Sequence, residues 1–430
     1  MTRSNANVAA ITTWLRDNAL PLRHLEAGNE FDDLQPLHEL WRNVQVVGIG
    51  ESTHGTREFF QVKHRLLEFL VAEMGYTVFA LEASHTACEP VNDFVQGGDG
   101  DVATLLSGIH YLAWHTEEFA AMVAWMRDWN ASAPDDRKVT FLGTDVTYNE
   151  RGRDAVRDYF NRVAPEKGPD IDRIFAVLAD GEAKWPLRVD PATRAAIDHI
   201  LPALGDLIDW LDDRRDDLVS RSSAREFDRI RFALTLMSPY WTGSPISRTR
   251  SIGENLVHLL DRDHPGEKAI FWAHNGHVDA GTDPDGKPKA GHILRKRFGD
   301  VYYACALEFG EGSFQYRQPE PDGTLSDLTT DTIGPPWEGS IPWLLARTGA
   351  GNSLIDLRTP SADPAVREWL DTPQPAHAPG WAHPTPPSAT GAYENVTLGV
   401  SFDGILFVER STPVRPTATA LEHAARREQF

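Results

Sequence analysis

Residues 44–56 read VQVVGIGESTHGT, a short β-branched run followed by a polar turn that begins between two glycines. Such a run is typical of a strand that is buried on both faces of a parallel sheet. Residues 56–74 then show helical periodicity, Gly75 supplies a stop signal, and the apolar run TVFAL follows at 77–81. Strand, helix and strand in this order predict a βαβ unit and therefore an α/β fold.

The rest of the chain repeats both patterns. Strand-like runs recur at 139–143, 269–272, 301–307, 353–355 and 405–408. Helical spacing is found at 5–26, 86–96 and 116–132. We therefore expect a mostly parallel central sheet that is flanked by helices.

One long stretch lacks strand patterns and predicts a helical insert or cap. It is almost wholly helical in character, and three prolines punctuate it: Pro186, Pro202 and Pro245. The expected units are an α/β catalytic core at 1–150 and 264–415, the insert at 151–263, and a polar tail at 416–430. A stretch rich in Pro, Ala and His at 371–391 predicts an exposed loop.

Composition narrows the range of partners. The 430 residues are 41% hydrophobic and 24% charged, and the formal net charge is −21. An acidic surface repels phosphate backbones and anionic lipids, so we expect neither a nucleic acid nor a membrane partner. Only two cysteines occur, Cys88 and Cys305, and no run of about 18 apolar residues is present. These features predict a cytoplasmic protein, and they define no oligomeric state. The 13 tryptophans include some that could line a crevice for a small-molecule substrate that is large and partly apolar.

Polar residues follow four of the predicted strands. They lie at 48–56, 82–85, 143–145 and 274–277. In an open parallel sheet, ligands bind outside the carboxyl ends of the strands. We therefore expect these four segments to converge on one crevice.

The first segment carries an acid–base pair. Its glycines resemble the start of a dinucleotide loop, but Thr53 takes the third glycine position and Glu51 puts a negative charge where a phosphate would sit. Glycine also allows a sharp turn that presents Glu51 and His54 to the cleft. A carboxylate beside an imidazole fixes its tautomer and makes it a general base. The structural alternative is a helix cap at Ser52 or Thr53 with an exposed histidine.

The other segments supply further polar groups. Glu82 ends an apolar strand, where a carboxylate must face a cleft or be paired, with Lys63 or Arg65 as structural partners. His274 and His277 could ligate zinc or manganese, or divide the work of polarisation and packing.

Several standard hydrolase signatures are missing from the chain. The zinc signature H-E-x-x-H is absent, and so is the G-x-S-x-G serine elbow. His85 fits the site and the first turn of the next helix equally well. Water activated by a histidine is then the simplest nucleophile, with no metal and no cofactor.

With these segments in place, the chain resembles the erythromycin esterase family over roughly residues 5–415. The resemblance is carried by GESTHGT at 50–56, LEA at 81–83, GTD at 143–145 and AHNGH at 273–277, with weaker echoes at 125–130, 248–255 and 402–403. It implies an α/β core, a helical portion, and metal-free opening of a macrolide lactone by water activated at His54. Two departures bear on specificity: Lys63 stands where arginine is usual, and Thr249 where the family commonly has aspartate.

We therefore predict an ester or lactone hydrolase. Glu51 orients His54, His54 deprotonates water, His274 and Lys63 stabilise the oxyanion, and Glu82 tunes the charge of the pair. Substrate-binding residues are expected to be Ser52, Thr53, His85, Asp145, Asn275, His277 and Arg248. The alternatives are a metal-dependent hydrolase that uses the same residues, a natural-product cyclase or dehydratase, and a non-catalytic ligand-binding homologue.

Overall fold

The structure is a computed structural model that describes residues 4–182, 189–238, 245–321, 325–383, 385–390 and 392–425. The strands in this part of the chain are β1 (Ala19–Pro21), β2 (Val46–Ile49), β3 (Val78–Ser84), β4 (Thr140–Asp145), β5 (Ala269–Trp272), β6 (Tyr302–Tyr316), β7 (Thr329–Ile333), β8 (Ser353–Asp356), β9 (Gln374–His377), β10 (Tyr393–Val396) and β11 (Gly404–Ser411).

The α-helices of the same residues are α1 (Asn5–Asp17), α2 (Leu37–Leu40), α3 (Arg57–Met74), α4 (His85–Val95), α5 (Val102–Ser107), α6 (Glu117–Ser132), α7 (Glu150–Val163), α8 (Gly168–Glu182), α9 (Pro191–Asp213), α10 (Arg215–Arg221), α11 (Ala224–Met237), α12 (Pro245–Arg262), α13 (Asn275–Val278), α14 (Ala290–Phe298), α15 (Ile341–Ala346), α16 (Pro364–Asp371), α17 (Pro387–Thr390), α18 (Leu398–Ser401) and α19 (Ala418–Ala425). Short 3-10 turns lie at Leu112–Trp114, Asp135–Arg137, Pro165–Lys167 and Gly299–Val301.

The central sheet has the strand order β1-β8-β11-β6-β2-β5-β3-β4, and β7 pairs with β6. The six strands from β11 to β4 run parallel to one another. The pairs β1–β8, β8–β11 and β6–β7 are antiparallel and lie at the periphery. The predicted mostly parallel sheet is confirmed. Because β2, β5 and β3 are neighbours, the turns that follow them meet at one edge.

Burial explains why these segments form strands. Every residue of β2 is buried, and Ile49 lies opposite Trp272 on one side and Cys305 on the other. One apolar cluster packs α3 against one face of the sheet, and a second packs α12 and α14 against the other face. Helix α3 ends at Gly75, whose φ of 74° is the left-handed conformation that glycine adopts without strain.

Three predicted elements differ from the structure. The helix expected at 5–26 ends at Asp17, because residues 19–21 pair with β8 instead. Strand β6 extends nine residues beyond the predicted 301–307, since its distal half pairs with β7. The loop expected at 371–391 contains β9 and α17, and Gln374 and His377 within it are buried. The proline-rich composition of this stretch predicted a loop, although strand β9 within it pairs with β10 on one side.

The helical stretch divides into two parts. Helices α7 to α11 share an apolar cluster of their own, which runs from Val146 to Met237. Helix α12 lies inside the predicted insert, but its Ile252, Leu256 and Leu260 belong to the cluster beneath the sheet.

The three prolines of the predicted helical insert have different surroundings. Pro202 lies within α9, whose buried stripe of apolar residues continues on both sides of it. Pro245 begins α12, and Pro186 lies outside the described residues.

In the described part of the chain, no helix combines the length and the apolar character that crossing a bilayer requires.

Candidate active site

The turn after β2 and the turn after β5 are in direct contact. The backbone N–H of Asn275 donates to the Glu51 carbonyl at 2.8 Å. The Asn275 side chain bonds both backbone groups of Leu307 at 3.0 Å, which ties the two turns to β6. A Cβ atom on Gly50 would lie 2.2 Å from Asn275 Oδ1, so this approach requires glycine. The first and fourth predicted segments therefore share one site, and Asn275 is one of the groups that join them.

A buried acid–base pair forms the centre of the site. Glu51 is fully buried, and its Oε1 lies 2.5 Å from Nδ1 of His54. Trp272 Nε1 donates to the same oxygen at 3.2 Å, and Lys63 Nζ donates to Oε2 at 2.9 Å. Burial would raise the pKa of Glu51, but the charges of Lys63 and then His54 lower it below its usual value. The ionised carboxylate thus holds the proton of His54 on Nδ1 and leaves Nε2 as the basic nitrogen.

Lys63 lies behind Glu51, away from the cleft. Its side chain is 1% exposed, and Nζ lies 4.4 Å from the ring centroid of Trp272. Burial lowers the pKa of Lys63 to about 8, although the Glu51 carboxylate opposes the shift. The Lys63 ammonium donates to Glu51 and does not face the cleft. The structure therefore does not show the contact with an oxyanion that the sequence led us to expect.

His274 faces His54 across the pocket, with ring centroids 5.5 Å apart. Its Nδ1 accepts from the Gly276 N–H at 3.1 Å, and its Nε2 donates to the Ser52 carbonyl at 3.2 Å. Burial lowers the pKa of His274 to about 4, and the His54 charge adds to the fall. His274 is therefore a neutral imidazole whose two nitrogens both bond to backbone groups.

A second buried carboxylate, Glu82, is held by charged partners. Arg248 Nη2 donates to Glu82 Oε1 at 2.9 Å and to Asp145 Oδ2 at 2.5 Å. His277 Nε2 lies 3.0 Å from Glu82 Oε1, and the His274 backbone N–H donates to Oε2 at 2.8 Å. Burial raises the pKa of Glu82, but His277 and Arg248 hold it well below its usual range. Glu82 and Asp145 thus anchor the Arg248 guanidinium at the site.

Thr249 was not among the predicted residues, although it orients His277. Its Oγ1 lies 2.6 Å from Nδ1 of His277, which accepts the hydroxyl proton when Nε2–H donates to Glu82. Arg248 Nη1 lies 3.5 Å from His277 Nε2. The guanidinium also lies 5.6 Å from the ring centroid of Tyr111. Among the described residues, no carboxylate accepts a hydrogen bond from the Nη1 end of Arg248.

The remaining predicted residues lie at different distances from this centre. Ser52 is buried, and its hydroxyl makes no hydrogen bond to any described residue. Thr53 Oγ1 donates to the Gly380 carbonyl at 2.9 Å, so the segment after β9 covers the turn. His85 bonds the Gly143 carbonyl at 3.0 Å and contacts the Phe232 ring. Neither of these two contacts of His85 is with the Glu51–His54 pair.

A cavity of about 260 Å³ opens beside Arg248, His274 and His277, and Glu51 and His54 are not among its lining residues. It is lined by Arg248, Thr249, His274, Gly276, His277, Asp283, Lys287, Pro288 and Lys289. Among the described residues, no three His, Cys, Asp or Glu side chains are placed so that they could hold a metal ion. The arrangement offers an oriented base at His54 and a fixed guanidinium at Arg248. The cavity beside Arg248 reaches His274, whose ring centroid lies 5.5 Å from that of His54.

Sequence reasoning missed four aromatic or hydroxyl partners of the site. These are Tyr111, Trp114, Thr249 and Trp272, of which Trp114 packs edge-on against the His54 ring with centroids 5.1 Å apart. One signal was available for Trp272, because it ends β5 two residues before His274 and opposite Ile49. Tyr111 and Trp114 lie in a connection with no strand pattern, and their sequence carries no such signal.

The fold and the buried glutamate–histidine pair define an α/β protein equipped for acid–base chemistry. The model of the erythromycin esterase family matches residues 71–411. The chain belongs to this family, and its general type of activity is that of a hydrolase. The match begins after Glu51 and His54, so the placement of these two residues rests on the structure.

Individual relatives extend over the whole fold. Erythromycin esterase type II of Escherichia coli is 23% identical over 93% of this chain and 97% of its own length. A crystal structure described as a succinoglycan biosynthesis protein is 24% identical, covers 96% of this chain and 100% of its own, and has a TM-score of 0.77. A variant of the erythromycin esterase EreC in its open conformation is 16% identical, covers 90% and 96%, and has a TM-score of 0.70. These structures show that the fold is shared.

Proposed function

We propose that the protein hydrolyses a carboxylic ester or lactone with water that His54 activates. The observation that carries this proposal is the 2.5 Å contact between Glu51 and Nδ1 of His54. This contact holds the proton of His54 on Nδ1 and leaves Nε2 free to accept a proton from water. A base of this kind contributes about 10²–10⁴ in rate.

The proposed reaction runs in two proton transfers. Nε2 of His54 takes a proton from water as the oxygen attacks the ester carbonyl carbon, and the carbonyl oxygen becomes an oxyanion. The intermediate then collapses, the bond to the alcohol oxygen breaks, and the His54 imidazolium returns the proton to the leaving alkoxide. Glu51 stabilises the imidazolium throughout, because its carboxylate remains ionised.

Arg248 is the proposed partner of the oxyanion. Lys63 donates to Glu51, and Nε2 of His274 donates to the Ser52 carbonyl, so both expected donors have other acceptors. Arg248 lines the cavity, and its Nη1 end makes no hydrogen bond to any carboxylate of the described residues. A guanidinium held rigidly by Glu82 and Asp145 meets developing negative charge without reorganising.

The proposed substrate is a large, partly apolar ester, and a macrolide is one candidate. Support comes from the family and from the cavity of about 260 Å³, which receives part of such a molecule. We propose no nucleic acid and no membrane as partners. The metal-dependent alternative uses the same residues and is separated by experiment.

The experiment is a hydrolysis screen of macrolides and simple esters with mass detection, run with and without a chelator. Hydrolysis appears as a gain of the mass of one water for a lactone, or as separate acid and alcohol for an open ester. The proposal expects such products at equal rates in both arms. Loss of the activity with chelator would establish the metal-dependent alternative, and tight binding without product would establish a ligand-binding protein.

A further inference from the structure

A short segment after β11 crosses between two loops that are distant in the sequence. It consists of residues 412–417, here called the strap, which read TPVRPT and lead into α19. The first proline of the strap, Pro413, forms an antiparallel backbone bridge with Thr56. The second, Pro416, forms such a bridge with Thr116. Because a proline ring restricts its own φ to about −65°, the strap is a stiff connection between the two loops.

The first half of the strap holds the turn that carries His54. The Val414 N–H donates to the Gly55 carbonyl at 3.0 Å, directly after the histidine. The Arg57 N–H donates to the Thr412 carbonyl at 2.9 Å. Helix α3 begins at Arg57 without a side-chain cap, and the first N–H groups of a helix have no acceptor inside it. The strap therefore supplies the acceptor that this helix start lacks.

The second half of the strap holds the connection that carries Trp114. The Glu117 N–H donates to the Arg415 carbonyl at 2.8 Å. The Thr417 N–H donates to the His115 carbonyl at 2.9 Å. Trp114 precedes His115, and its ring packs edge-on against the imidazole of the proposed base, with centroids 5.1 Å apart. The strap is thus bonded to the chain beside two groups that border this imidazole.

One buried carboxylate, that of Glu118, ties the strap to both loops. Its side chain is 3% exposed, and it accepts from the Arg415 backbone N–H at 3.1 Å and from Arg415 Nε at 2.8 Å. Arg57 Nε, at the start of α3, lies 3.3 Å from the same carboxylate. The Arg415 side chain is 53% exposed, so its removal leaves no large cavity in the core. Arg415 is therefore the member of this group that can be replaced with the least loss of packing.

We propose that the ion pair between Glu118 and Arg415 is a positioning element for His54. Through the strap, it fixes the backbone at Gly55 on one side of the imidazole and the ring of Trp114 on another. The inference rests on the function proposed above, in which His54 is the base. It assigns to the strap the task of holding the imidazole in contact with its carboxylate partner.

The ion pair acts on the rate and not on substrate binding. Among the described residues, the ion pairs of Glu118 and Arg415 are with each other and with Arg57 and Glu117, and neither residue lines the cavity beside Arg248. A small displacement of a catalytic group slows the chemical step, while contacts to the substrate elsewhere are kept. We therefore expect kcat to change and KM to remain nearly constant.

The test is Arg415→Ala in the full chain, with para-nitrophenyl acetate as the ester. The expected result is a fall of about tenfold in kcat with little change in KM, because the base is misplaced while the cavity is intact. Arg410→Ala is the control: its side chain is exposed, pairs with Glu311, and lies on β11 just before the strap. An unchanged kcat in Arg415→Ala, or equal losses in the two variants, would overturn the inference.

A spectroscopic measurement separates failure of this inference from failure of the proposed function. In the chain labelled with ¹⁵N-histidine, Arg415→Ala should shift or broaden the ring signals of His54, and Arg410→Ala should leave them unchanged. This comparison applies even if the unaltered chain cleaves no ester, a result that would count against the proposed function alone. Unchanged His54 signals in Arg415→Ala would contradict the positioning role.

Two further variants complete the test. Arg415→Lys keeps a positive charge near Glu118, so it should recover part of the kcat that Arg415→Ala loses. If Arg415→Ala does not fold, Thr412→Ala takes its place, since it removes only the hydroxyl bond of 2.6 Å to Glu58 at the start of the strap. An unaltered kcat together with unaltered His54 signals in Thr412→Ala would then overturn the inference.

Discussion

Glu51 follows β2 and Glu82 lies near the end of β3, on the two sides of β5, and the partners of these two buried carboxylates differ. Glu51 bonds His54 and Lys63, and burial lowers the pKa of that lysine to about 8. Glu82 bonds Arg248, whose guanidinium stays charged, and burial does not change that because Glu82 and Asp145 both hold it. Under the proposed function, this difference assigns proton transfer to the Glu51 group and the fixing of a positive charge to the Glu82 group.

The largest expected effect follows from removing the base. His54→Asn should lower kcat/KM for ester hydrolysis by about 10²–10⁴, because no other imidazole nitrogen replaces Nε2. The melting temperature should stay close to that of the unaltered chain. Steady-state kinetics with mass detection measures the loss.

A matched control exists for this variant. His264 also lies three residues from a glutamate, and its Nδ1 is 3.1 Å from Glu267, which precedes β5 at the opposite end from the turn that carries His274. His264→Asn should retain full activity. Equal losses of kcat/KM in His54→Asn and His264→Asn would contradict a catalytic role that is specific to the Glu51–His54 pair.

The next effect concerns the fixed charge. Arg248→Lys keeps a positive charge but loses the fork that bonds Asp145 and Glu82 together, so the oxyanion contact is misplaced. We expect a fall of about 10–100-fold in kcat, less than for His54. Arg231→Lys, whose fork bonds the exposed Asp212, is the control and should leave kcat unchanged. An unchanged kcat in Arg248→Lys would show that Glu82 and its partners serve the fold alone.

The smallest effect is a change in pH dependence. Lys63 is protonated below its pKa of about 8 and neutral above it, so Glu51 loses its cationic partner as pH rises. The rate should fall on the alkaline side, with the midpoint of the fall near that pKa. Lys63→Arg stays charged, so it should keep its activity there. Lys268→Arg, at a lysine that faces Tyr76, should retain the alkaline fall. The same alkaline fall in Lys63→Arg would assign it to another group.

The sheet and the meeting of its polar turns were predictable from sequence. Apolar runs followed by glycines or polar residues marked β2, β3, β4 and β5, and parallel strands bring such ends together. This is why Glu51, His54, Glu82 and His274 could be grouped without coordinates.

The partners of these residues were less predictable. Arg248 bonds Asp145 from 103 residues further along the chain, and it lies on α12, which is inside the predicted insert but packs against the sheet. No local pattern encodes such a pairing, because it depends on how α12 packs against the sheet. The orientation of Lys63 was missed for a related reason: sequence shows that a lysine is near, but only packing shows that it points to the back of Glu51.

The protonation of the His54 imidazole tests the central claim most directly. The chain labelled with ¹⁵N-histidine, with His54→Asn to assign the signals, reports which ring nitrogen carries the proton. The account predicts that Nδ1 of His54 is protonated and Nε2 is not, at the pH where the enzyme works, and that Glu51→Gln disturbs this arrangement. A proton on Nε2 at that pH, with Nδ1 bare, would contradict it.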